Sequence, residues 1–313
     1  MSTLSFGIVI PTLNSEKTLP ETLSSISSQI GSVPVHVHVQ DGASTDKTVS
    51  IAHQWFEQLP NKNHISFSLD SQHDSGPAEA LHRGFQSVHA DVMAWIGADD
   101  LFLPNAFVTI HSLLEQHPRV HWVTGLAQQI DEAGVTLSLR GIHGAARIPS
   151  GFAQRALARG SHANLITGFI QQEGTFWTST AWLSVEGKIA TDLKRAFDFD
   201  LWCRMAAHHE LVQVTAPLAV FRRRVGQLSE DRAAYQAEVF HVRDKLRRAT
   251  LHRQTPRTSP RRAVAFFDPT LGRWVIKRYF FGPQLLRRIV EGTVRRLART
   301  GIAHPPKNVK HPA

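Results

Sequence analysis

The chain of 313 residues lacks several features that would place it in particular protein classes. It has one cysteine, Cys203, which excludes an internal disulfide. No apolar run approaches the roughly 20 residues that a membrane-spanning helix needs. No basic segment followed by an apolar one opens the sequence. We therefore expect a reducing, cytoplasmic location, in which any membrane contact is peripheral on the inner face.

Acidic residues are scarce near the end of the chain. Residues 243–310 hold 18 Lys or Arg against Asp244, Asp268 and Glu291, so this part accounts for the net charge of +9. The remaining sequence is net acidic. With 42% hydrophobic and 19% charged residues, the chain has enough apolar side chains for a sizeable core. The composition predicts one large folded domain with a basic extension.

The first hundred residues alternate between strand and helix patterns. Apolar runs typical of buried strands precede segments with helical spacing, and these runs are Phe6–Ile10, Val35–Val39, Ile65–Leu69 and Val92–Ile96. This order predicts an α/β fold with a mostly parallel sheet flanked by helices. Thr18 and Glu21 have the spacing of a capping box, and Pro104 suits the first turn of a fourth helix.

The pattern changes after residue 118. A hairpin is predicted over 129–139, a helix from about Asp198 to Ala207, and short strands at Leu211–Val214 and Leu218–Phe221. The stretch 251–262 is rich in Arg, Thr and Pro, which is typical of a linker. We expect a domain over 1–242, with halves at about 1–118 and 119–242. A basic, aromatic-rich helical extension would then cover 243–313.

Acidic residues stand where the apolar runs end, namely Asp41, Asp74, Asp99, Asp100 and Asp198. In open α/β sheets the ligand crevice lies beyond the carboxyl ends of the strands, so we expect these carboxylates in one cleft. The adjacent Asp99 and Asp100 repel each other unless a cation compensates them, and hard oxygen ligands suit Mg²⁺ or Mn²⁺. Each acid also has an ordinary alternative as a turn residue or helix cap.

The residue types also bear on a phosphate site, a zinc site and a cysteine nucleophile. The helix after Asp74 carries Arg83, and its amide end together with Arg83 could receive phosphate charge. The 18 histidines show no spacing that supplies a full set of zinc ligands. Cys203 is expected to pack inside a helix, because no nearby base would activate it.

Taken together, these stretches resemble the inverting nucleotide-sugar transferases of glycosyltransferase family 2. The resemblance covers about residues 4–230, in the expected order. The segments that carry it are Ile8–Asn14, Gln40–Asp46, Asp74–Gly76 with Glu79–Leu81, Trp95–Asp100, Gln172–Trp177 and Asp198–Trp202. It implies a GT-A fold, in which a Rossmann-like sheet binds a nucleoside diphosphate sugar. Residues 1–242 would then be the catalytic domain, with a nucleotide-sugar half followed by an acceptor half.

The resemblance also implies roles for individual residues. Pro11, Thr12 and Asn14 would line the nucleotide pocket, Asp41 would hold the base, and Asp74 would lie near the base or ribose. Asp99, with Asp100 beside it, would hold Mg²⁺ or Mn²⁺ on the diphosphate. Asp198 matches the general base, which removes the acceptor hydroxyl proton in a single inverting displacement. Residues expected on the acceptor side or at the diphosphate are Glu173, Trp202, Arg222 and Arg224.

Three positions depart from the family pattern. Gly97 stands where the metal motif often has a first Asp, and His82-Arg83 replaces an Asn-Lys pair. Arg224 lies where many relatives have a late histidine, so it would meet phosphate directly. The expected partners are the nucleotide sugar and a glycan or lipid-linked acceptor used in cell-surface polysaccharide or lipopolysaccharide synthesis.

The basic extension has its own set of interpretations. Its aromatic and Arg residues suit an anionic membrane surface, or alternatively a solvated helix packed on the catalytic domain. A nucleic-acid-binding protein is the rival from another class, because basic and aromatic residues can track phosphates and stack on bases. The net acidic remainder argues against nucleic acid as a partner. A third alternative is a transferase-like domain that binds a nucleotide without catalysis.

Overall fold

The structure is a computed structural model that describes residues 3–29, 33–140, 142–143, 148–149, 152–161, 170–251 and 258–279. Its helices are α1 (Leu19–Ser27), α2 (Thr48–Glu57), α3 (Pro77–Gln86), α4 (Ala106–Gln116), α5 (Gln154–Ala158), α6 (Ser179–Ser184), α7 (Phe197–His208) and α8 (Arg232–Leu251). Its strands are β1 (Phe6–Thr12), β2 (Val35–Asp41), β3 (Ile65–Ser71), β4 (Val92–Trp95), β5 (Leu101–Phe102), β6 (Trp122–Ile130), β7 (Thr136–Arg140), β8 (Ile142–His143), β9 (Ile148–Pro149), β10 (Thr175–Thr178), β11 (Val212–Arg222), β12 (Arg262–Asp268) and β13 (Arg273–Tyr279).

One large mixed sheet, mostly parallel as predicted, organises the molecule. Its strand order is β13-β12-β11-β6-β10-β4-β1-β2-β3, with β5 paired to β11 and β7 to β6. Strands β1, β2, β3, β4, β6, β11 and β12 run in one direction, whereas β10 runs antiparallel to both β4 and β6. The carboxyl ends of the parallel strands and the beginning of β10 therefore lie at the same edge of the sheet.

Helices cover both faces of this sheet. Alternate residues of a strand point to opposite faces, so Ile8 and Ile10 of β1 join a core with α1 and α4, while Val9 joins a second core with α3 and α7. The two cores bury the strands on both sides, which explains their continuous apolar runs. Among the described residues, no helix combines the length and apolar character needed to cross a bilayer.

Local signals at two helix starts were misread. The Thr18 side chain makes no capping hydrogen bond at α1, and Glu21 forms an ion pair with Arg222 on β11 instead. Pro104 precedes α4 rather than opening it, because Asn105 takes a left-handed conformation (φ 66°) before the first helical residue, Ala106. In both cases a distant partner or a turn overrides the local pattern.

The later segments confirm some expectations and revise others. The hairpin after residue 128 forms from β6 and β7, and α7 closely matches its predicted helix. The two short strands predicted between 211 and 221 are one irregular strand, β11. Of the predicted linker, the structure describes Leu251 as the end of α8 and Arg262 as the start of β12, while 252–257 lie outside the described residues.

The described part of the C-terminal extension contains two strands besides the end of α8. β12 pairs in parallel with β11, and β13 returns antiparallel to it. Trp274 is 7% exposed and its indole nitrogen donates to the Ser112 hydroxyl on α4. This aromatic side chain therefore packs in the domain core, and α8 runs through the predicted boundary at 242. Residues 280–313, with most of the segments expected at the membrane, lie outside the described residues.

Candidate active site

The strand directions bring the predicted site residues to one edge of the sheet. Asp41 is the last residue of β2, and Asp74 follows β3. Asp99 and Asp100 follow β4, and Arg222 ends β11. Glu173 lies just before β10, and because β10 is antiparallel its beginning reaches the same edge. The topology thus explains how acids that are far apart in sequence can share one cleft.

Asp41 lies fully buried at the centre of a loop network. Its carboxylate accepts hydrogen bonds from the Ser44 amide (2.9 Å) and from the Ser71 hydroxyl (2.6 Å). The next residue, Gly42, donates its amide to the Thr12 carbonyl at 2.8 Å. These bonds tie together the ends of β1, β2 and β3, where a nucleotide pocket was predicted.

The end of β1 leads into a hydrogen-bonded turn and carries a buried hydroxyl group without a hydrogen-bond partner among the described residues. Asn14 adopts a left-handed conformation (φ 49°), and its side-chain oxygen accepts the Thr45 amide at 2.9 Å. The hydroxyl oxygen of Thr12 is buried and finds no hydrogen-bond partner within the described part of the chain. Pro11, which precedes it in β1, is partly buried. An orphan buried hydroxyl is costly unless a ligand satisfies it, which makes Thr12 a candidate contact.

Asp74 folds back over the end of β2. Its carboxylate accepts the Gly76 amide at 2.8 Å, and a Cβ atom placed on Gly42 would lie 3.0 Å from its Oδ2 atom. Gly76 has φ 128°, a conformation that L side chains rarely adopt, so glycine is required where the loop enters α3. Asp41 and Asp74 are therefore brought together as predicted.

Arg83 has a different surrounding from the one expected. Its guanidinium pairs with Glu79 one turn earlier on α3 and donates to the His73 carbonyl at 2.9 Å. Glu79 also accepts the Ser75 amide at 2.8 Å. In this arrangement Arg83 stabilises the loop that carries Asp74, and its contact with a phosphate stays a prediction.

Asp99 faces a pair of side chains from the segment after β11. Its Oδ2 atom accepts Nε of Arg224 at 2.8 Å and the side-chain amide of Gln227 at 3.0 Å. The Asp99 side chain is 13% exposed, whereas that of Arg224 is 42% exposed. A mobile cationic group therefore sits beside the acid predicted to face the diphosphate. Gln227 was not anticipated, since no local spacing links it to Asp99.

Asp100 is buried differently from its neighbour. It is 3% exposed, and its Oδ1 atom accepts the Arg222 amide at 2.9 Å. Burial, reinforced by the charges of Glu173 and Asp99, raises the pKa of the Asp100 carboxyl well above its usual range. In this arrangement Asp100 holds the β4 loop against β11, and its contact with a cation stays a prediction.

Gly97 permits this arrangement of the two acids. A Cβ atom at this position would lie 2.8 Å from Oδ1 of Asp99 and 2.9 Å from Oδ2 of Asp100. Both carboxyl groups would have to move if residue 97 carried a side chain. Gly97, which departs from the family pattern, therefore leaves the space that the two carboxyl groups occupy.

Arg222 does not point freely at the predicted diphosphate. It is 5% exposed, donates Nε to the Asp99 carbonyl at 3.1 Å and forms an ion pair with Glu21. A third contact reaches the Glu132 carbonyl at 3.4 Å. Through these bonds the guanidinium supports the Asp99 loop, and the contacts of Arg222 and Arg224 with a diphosphate stay predictions.

Glu173 connects the Asp99 side of the site with Asp198. It is 4% exposed, its Oε1 atom accepts the Gln172 amide at 3.1 Å, and its Oε2 atom has no partner in the described ranges. Burial raises its pKa to about 7, and the nearby charges of Asp198 and Asp99 act in the same direction. Glu173 is therefore within electrostatic reach of both acids.

Asp198 lies in the first turn of α7 and is partly buried. Its carboxylate accepts the Phe199 amide at 2.7 Å and a hydrogen bond from Tyr235 on α8. Burial nevertheless raises the pKa of Asp198 to about 7, and the Glu238 carboxylate adds to the rise. A carboxylate with a pKa near neutrality can accept a proton efficiently, which is what a general base requires.

Trp202 is not a wall of an acceptor pocket, contrary to expectation. It is 1% exposed and stacks on Trp95, with ring centroids 5.4 Å apart and an interplanar angle of 3°. The ring centroid of Trp122 also lies 5.5 Å from that of Trp202. Trp202 follows Asp198 by one turn of α7, but its ring fills the core between α7 and the sheet.

The described residues contain no group of three or more His, Cys, Asp or Glu side chains that could hold a metal ion. Asp99 still offers hard oxygen atoms at the open side of the site. Mg²⁺ is often bound through one or two carboxylates, with substrate phosphates and waters as the remaining ligands. The donor set thus fits a cation that arrives with a diphosphate, and it does not fit a cation held by protein alone.

Comparisons with known sequences agree with this picture. The family model described as glycosyl transferase family 2 matches residues 7–164. The amylovoran biosynthesis glycosyltransferase AmsE of Erwinia amylovora is 28% identical over 155 residues, which are 47% of this chain and 56% of that protein. The poly(ribitol-phosphate) beta-N-acetylglucosaminyltransferase TarS of Staphylococcus aureus is 24% identical over 36% of this chain and 19% of its own length. The matches thus span little more than half of these curated relatives at most.

Solved structures support the fold. Staphylococcus aureus TarS in complex with UDP-GlcNAc superposes with a TM-score of 0.57 at 14% identity, covering 80% of this chain and 73% of that one. The mannosyltransferase PcManGT from Pyrobaculum calidifontis, in complex with GDP-Man and Mn²⁺, gives a TM-score of 0.56 at 17% identity, covering 82% and 67%. The fold is GT-A, as the resemblance implied. With the family model matching half of its length, this chain belongs to glycosyl transferase family 2.

Proposed function

We propose that this protein transfers a sugar from a nucleoside diphosphate sugar to an acceptor hydroxyl with inversion at the anomeric carbon. The observation that supports the proposal is the strand topology, which brings Asp41, Asp74, Asp99 and Glu173 to one edge of the sheet. The charges of Asp99 and Asp198 both contribute to the raised pKa of Glu173, and on this proposal the acid at the diphosphate and the acid at the attacking hydroxyl face one space. A single displacement needs this arrangement, because the nucleophile and the leaving group act on opposite sides of one carbon.

The nucleotide is proposed to bind where β1, β2 and β3 end. The buried hydroxyl of Thr12 gains a partner when a base or ribose enters, and Asn14 shapes the adjoining turn. Asp41 and Asp74 would face the base and ribose from the same loops. The Asp41 carboxylate already accepts the Ser44 and Ser71 hydrogen bonds, so it holds the pocket wall in place before any ligand arrives.

The diphosphate is proposed to bind beside Asp99. When bound there, Mg²⁺ or Mn²⁺ would neutralise charge on the departing diphosphate. Asp99 is the residue that would hold the cation, and PcManGT, which shares the fold, is described with GDP-Man and Mn²⁺. Arg224 is more than one-third exposed, so it can turn from Asp99 towards a phosphate at small cost. Its fixed positive charge would stabilise the leaving group.

The proton is proposed to pass from the acceptor hydroxyl to Asp198. The oxygen attacks the anomeric carbon as the proton leaves, the bond to the diphosphate breaks, and the configuration inverts. Glu173 precedes β10 at the edge of the sheet where Asp99 follows β4. Its unpartnered Oε2 atom is placed to accept a hydrogen bond from a sugar hydroxyl.

The acceptor is proposed to be a glycan or a lipid-linked molecule of the cell surface. The similar proteins are described by amylovoran biosynthesis, poly(ribitol-phosphate) and PGL/p-HBAD biosynthesis. A cytoplasmic enzyme, peripheral on the inner membrane face, would meet such an acceptor. The basic residues after 279 would favour this surface, and binding to anionic vesicles by the full chain but not by residues 1–279, which keep strands β12 and β13, would support their role.

Thermal stabilisation by nucleotide sugars tests the proposed function. We expect UDP-GlcNAc or GDP-Man, at roughly a hundredfold its Kd, to raise Tm by about 5 °C or more, and the rise to grow with Mn²⁺. Release of the nucleoside diphosphate should follow when an acceptor that supplies the attacking hydroxyl is added. The exposed carboxylate variant Glu186→Gln is the matched control and should respond like the wild-type protein.

Two results would favour the alternatives. Stabilisation without any release of nucleoside diphosphate in the presence of acceptor extracts would indicate a non-catalytic nucleotide-binding domain. Tight, salt-sensitive RNA binding without stabilisation by any UDP-, GDP- or dTDP-sugar would indicate the nucleic-acid-binding alternative. Either outcome would contradict the proposed transferase activity.

A further inference from the structure

Helix α8 packs against the helix that carries Asp198, although it lies outside the residues matched by the family model. Three polar residues, Asp231, Tyr235 and Glu238, are four and three positions apart around its beginning, and this spacing puts them on one face. Val239 and Val242 of α8 join Phe199 and Cys203 of α7 in a buried cluster. The two helices therefore have a fixed relative position.

Glu238 caps the start of α7 from a distance of more than 40 residues in sequence. One of its carboxylate oxygens accepts the Lys194 amide at 3.1 Å, and the other accepts the amides of Arg195 and Ala196 at 2.8 Å each. Ala196, at the N-cap position, has no side chain that can do this. A negative charge at this end also interacts favourably with the helix dipole. Glu238 thus fixes the turn from which Asp198 projects.

Asp231 adds a second link between the helices. One carboxylate oxygen pairs with the Arg195 guanidinium at 3.0 Å, and the other accepts the Ala234 amide at 3.0 Å. Asp231 therefore caps α8 while it holds the segment before α7. Two acids of one helix thus fix both the beginning of α8 and the beginning of α7.

Tyr235 makes the contact that reaches the proposed base itself. Its hydroxyl donates a hydrogen bond to the Asp198 carboxylate. The ring packs against the buried cluster between the two helices, so the hydroxyl has little freedom to turn away. A hydrogen bond of this kind favours the ionised carboxylate and fixes its orientation.

We infer that α8 is the positioning element of the general base, in which Glu238 fixes the start of α7 and Tyr235 orients the Asp198 carboxylate. The inference rests on the base role proposed above for Asp198. Tyr235 and Glu238 are positioning residues, since they act through Asp198. No pattern in the sequence predicts these contacts, because they join residues that are far apart along the chain.

Several charged or titratable groups surround Asp198. Glu238 from α8 and Glu173 before β10 oppose its ionisation, and the Cys203 thiol lies on α7 one turn further along. Tyr235 is the neutral donor among them. Burial and the neighbouring acids raise the pKa of the Tyr235 hydroxyl far above neutrality, so it remains a donor throughout the working range.

Titration of the Asp198 carboxyl carbon by ¹³C NMR tests this inference on the full chain, with the signal assigned by its absence in Asp198→Asn. We expect Tyr235→Phe to raise the proton affinity of Asp198 by about tenfold, because a hydrogen bond to a charged group is lost. The matched control on α8, Asp244→Asn, removes an exposed acid paired only with Arg248 and should leave the midpoint unchanged. An unchanged midpoint in Tyr235→Phe would overturn the inference.

Hydrogen exchange provides a second measurement that does not depend on Tyr235. Glu238→Ala should speed exchange of the Arg195 and Ala196 amides by about tenfold or more while distant amides of the sheet keep their rates. Equal exchange of these two amides in the variant and the wild-type protein would contradict the capping role of Glu238.

Activity separates this inference from the proposed function. In Tyr235→Phe the acid limb of the pH–rate profile should move to higher pH while the Kd for the nucleotide sugar stays unchanged. A purely structural role would instead lower the rate by the same factor at every pH. Wild-type protein that binds no nucleotide sugar would overturn the proposed function, whereas an unmoved pH profile in a donor-binding Tyr235→Phe protein would overturn only the inference drawn from α8.

Discussion

Asp198→Asn is expected to lower turnover by about 10²–10⁴-fold, the range over which a general base accelerates proton removal. Asparagine keeps the size of the side chain and one oxygen that can accept the Phe199 amide, but it cannot take up a proton. The Kd for the nucleotide sugar should change little, because the donor is bound by other residues. Steady-state kinetics together with donor binding by calorimetry check both expectations.

The pH dependence of the wild-type protein follows from the same group. Asp198 must be ionised to act, and its pKa of about 7 places the acid limb of the rate profile near neutrality. In the folded protein the pKa of Asp198 lies above the ordinary value of 3.8. The stability that comes from this raised pKa is fully present below about pH 3.8, and it is lost as the pH rises through about 7 and the buried carboxyl ionises. Asp198→Asn should therefore raise Tm relative to wild type at about pH 8 but not at about pH 4.

A matched control variant distinguishes the effect of the Asp198 charge on Tm and turnover from a nonspecific effect of removing an acidic side chain. Glu186→Gln alters an exposed acid that pairs with Lys188, and it should leave turnover unchanged and give no rise in Tm at about pH 8. Near-normal turnover in folded Asp198→Asn protein would contradict the role of this residue. A product with retained anomeric configuration would contradict the single displacement.

Asp99→Ala is expected to reduce turnover by about a hundredfold or more and to abolish the additional stabilisation that Mn²⁺ gives to the donor complex. The substitution removes the carboxylate best placed to hold a cation and releases Arg224 and Gln227 from it. Thermal shifts with nucleotide sugar, measured with and without Mn²⁺, detect the loss directly. Binding of the nucleotide sugar without metal should persist, since Arg224 can still reach the diphosphate.

Asp100→Asn is the informative comparison for Asp99→Ala. The Asp100 carboxyl is buried and its Oδ1 atom accepts the Arg222 amide, a bond that asparagine can keep. We expect a small effect on turnover and a normal response to Mn²⁺. A loss of the Mn²⁺ response in Asp100→Asn as complete as in Asp99→Ala would show that both acids hold the cation, contrary to this expectation.

The sequence was a good guide to the sheet and to the residues at its edge. Apolar runs and strand–helix alternation predicted β1 to β4 with α1 to α3, because each of these units folds from neighbouring residues. Strand direction then brought Asp41, Asp74 and Asp99 to one edge. This part was predictable because it follows from local patterns and one topological rule.

The contacts that decide individual roles were not predictable in this way. Arg222 pairs with Glu21 across most of the chain, and Trp202 stacks on Trp95 from another strand. Glu238 reaches the α7 amides from a different helix. The resemblance implied other roles for Arg222 and Trp202, and Glu238 was given no role at all. A sequence pattern describes a side chain's neighbours along the chain, whereas its use depends on which distant element packs against it.

The most direct test of this account is a crystal structure of the protein with the nucleotide sugar that stabilises it most. The account predicts the diphosphate beside Asp99 and Arg224, the sugar ring against Glu173, and the open side of the anomeric carbon facing Asp198. A nucleotide sugar bound in another cleft, or one whose anomeric carbon is shielded from Asp198, would contradict it.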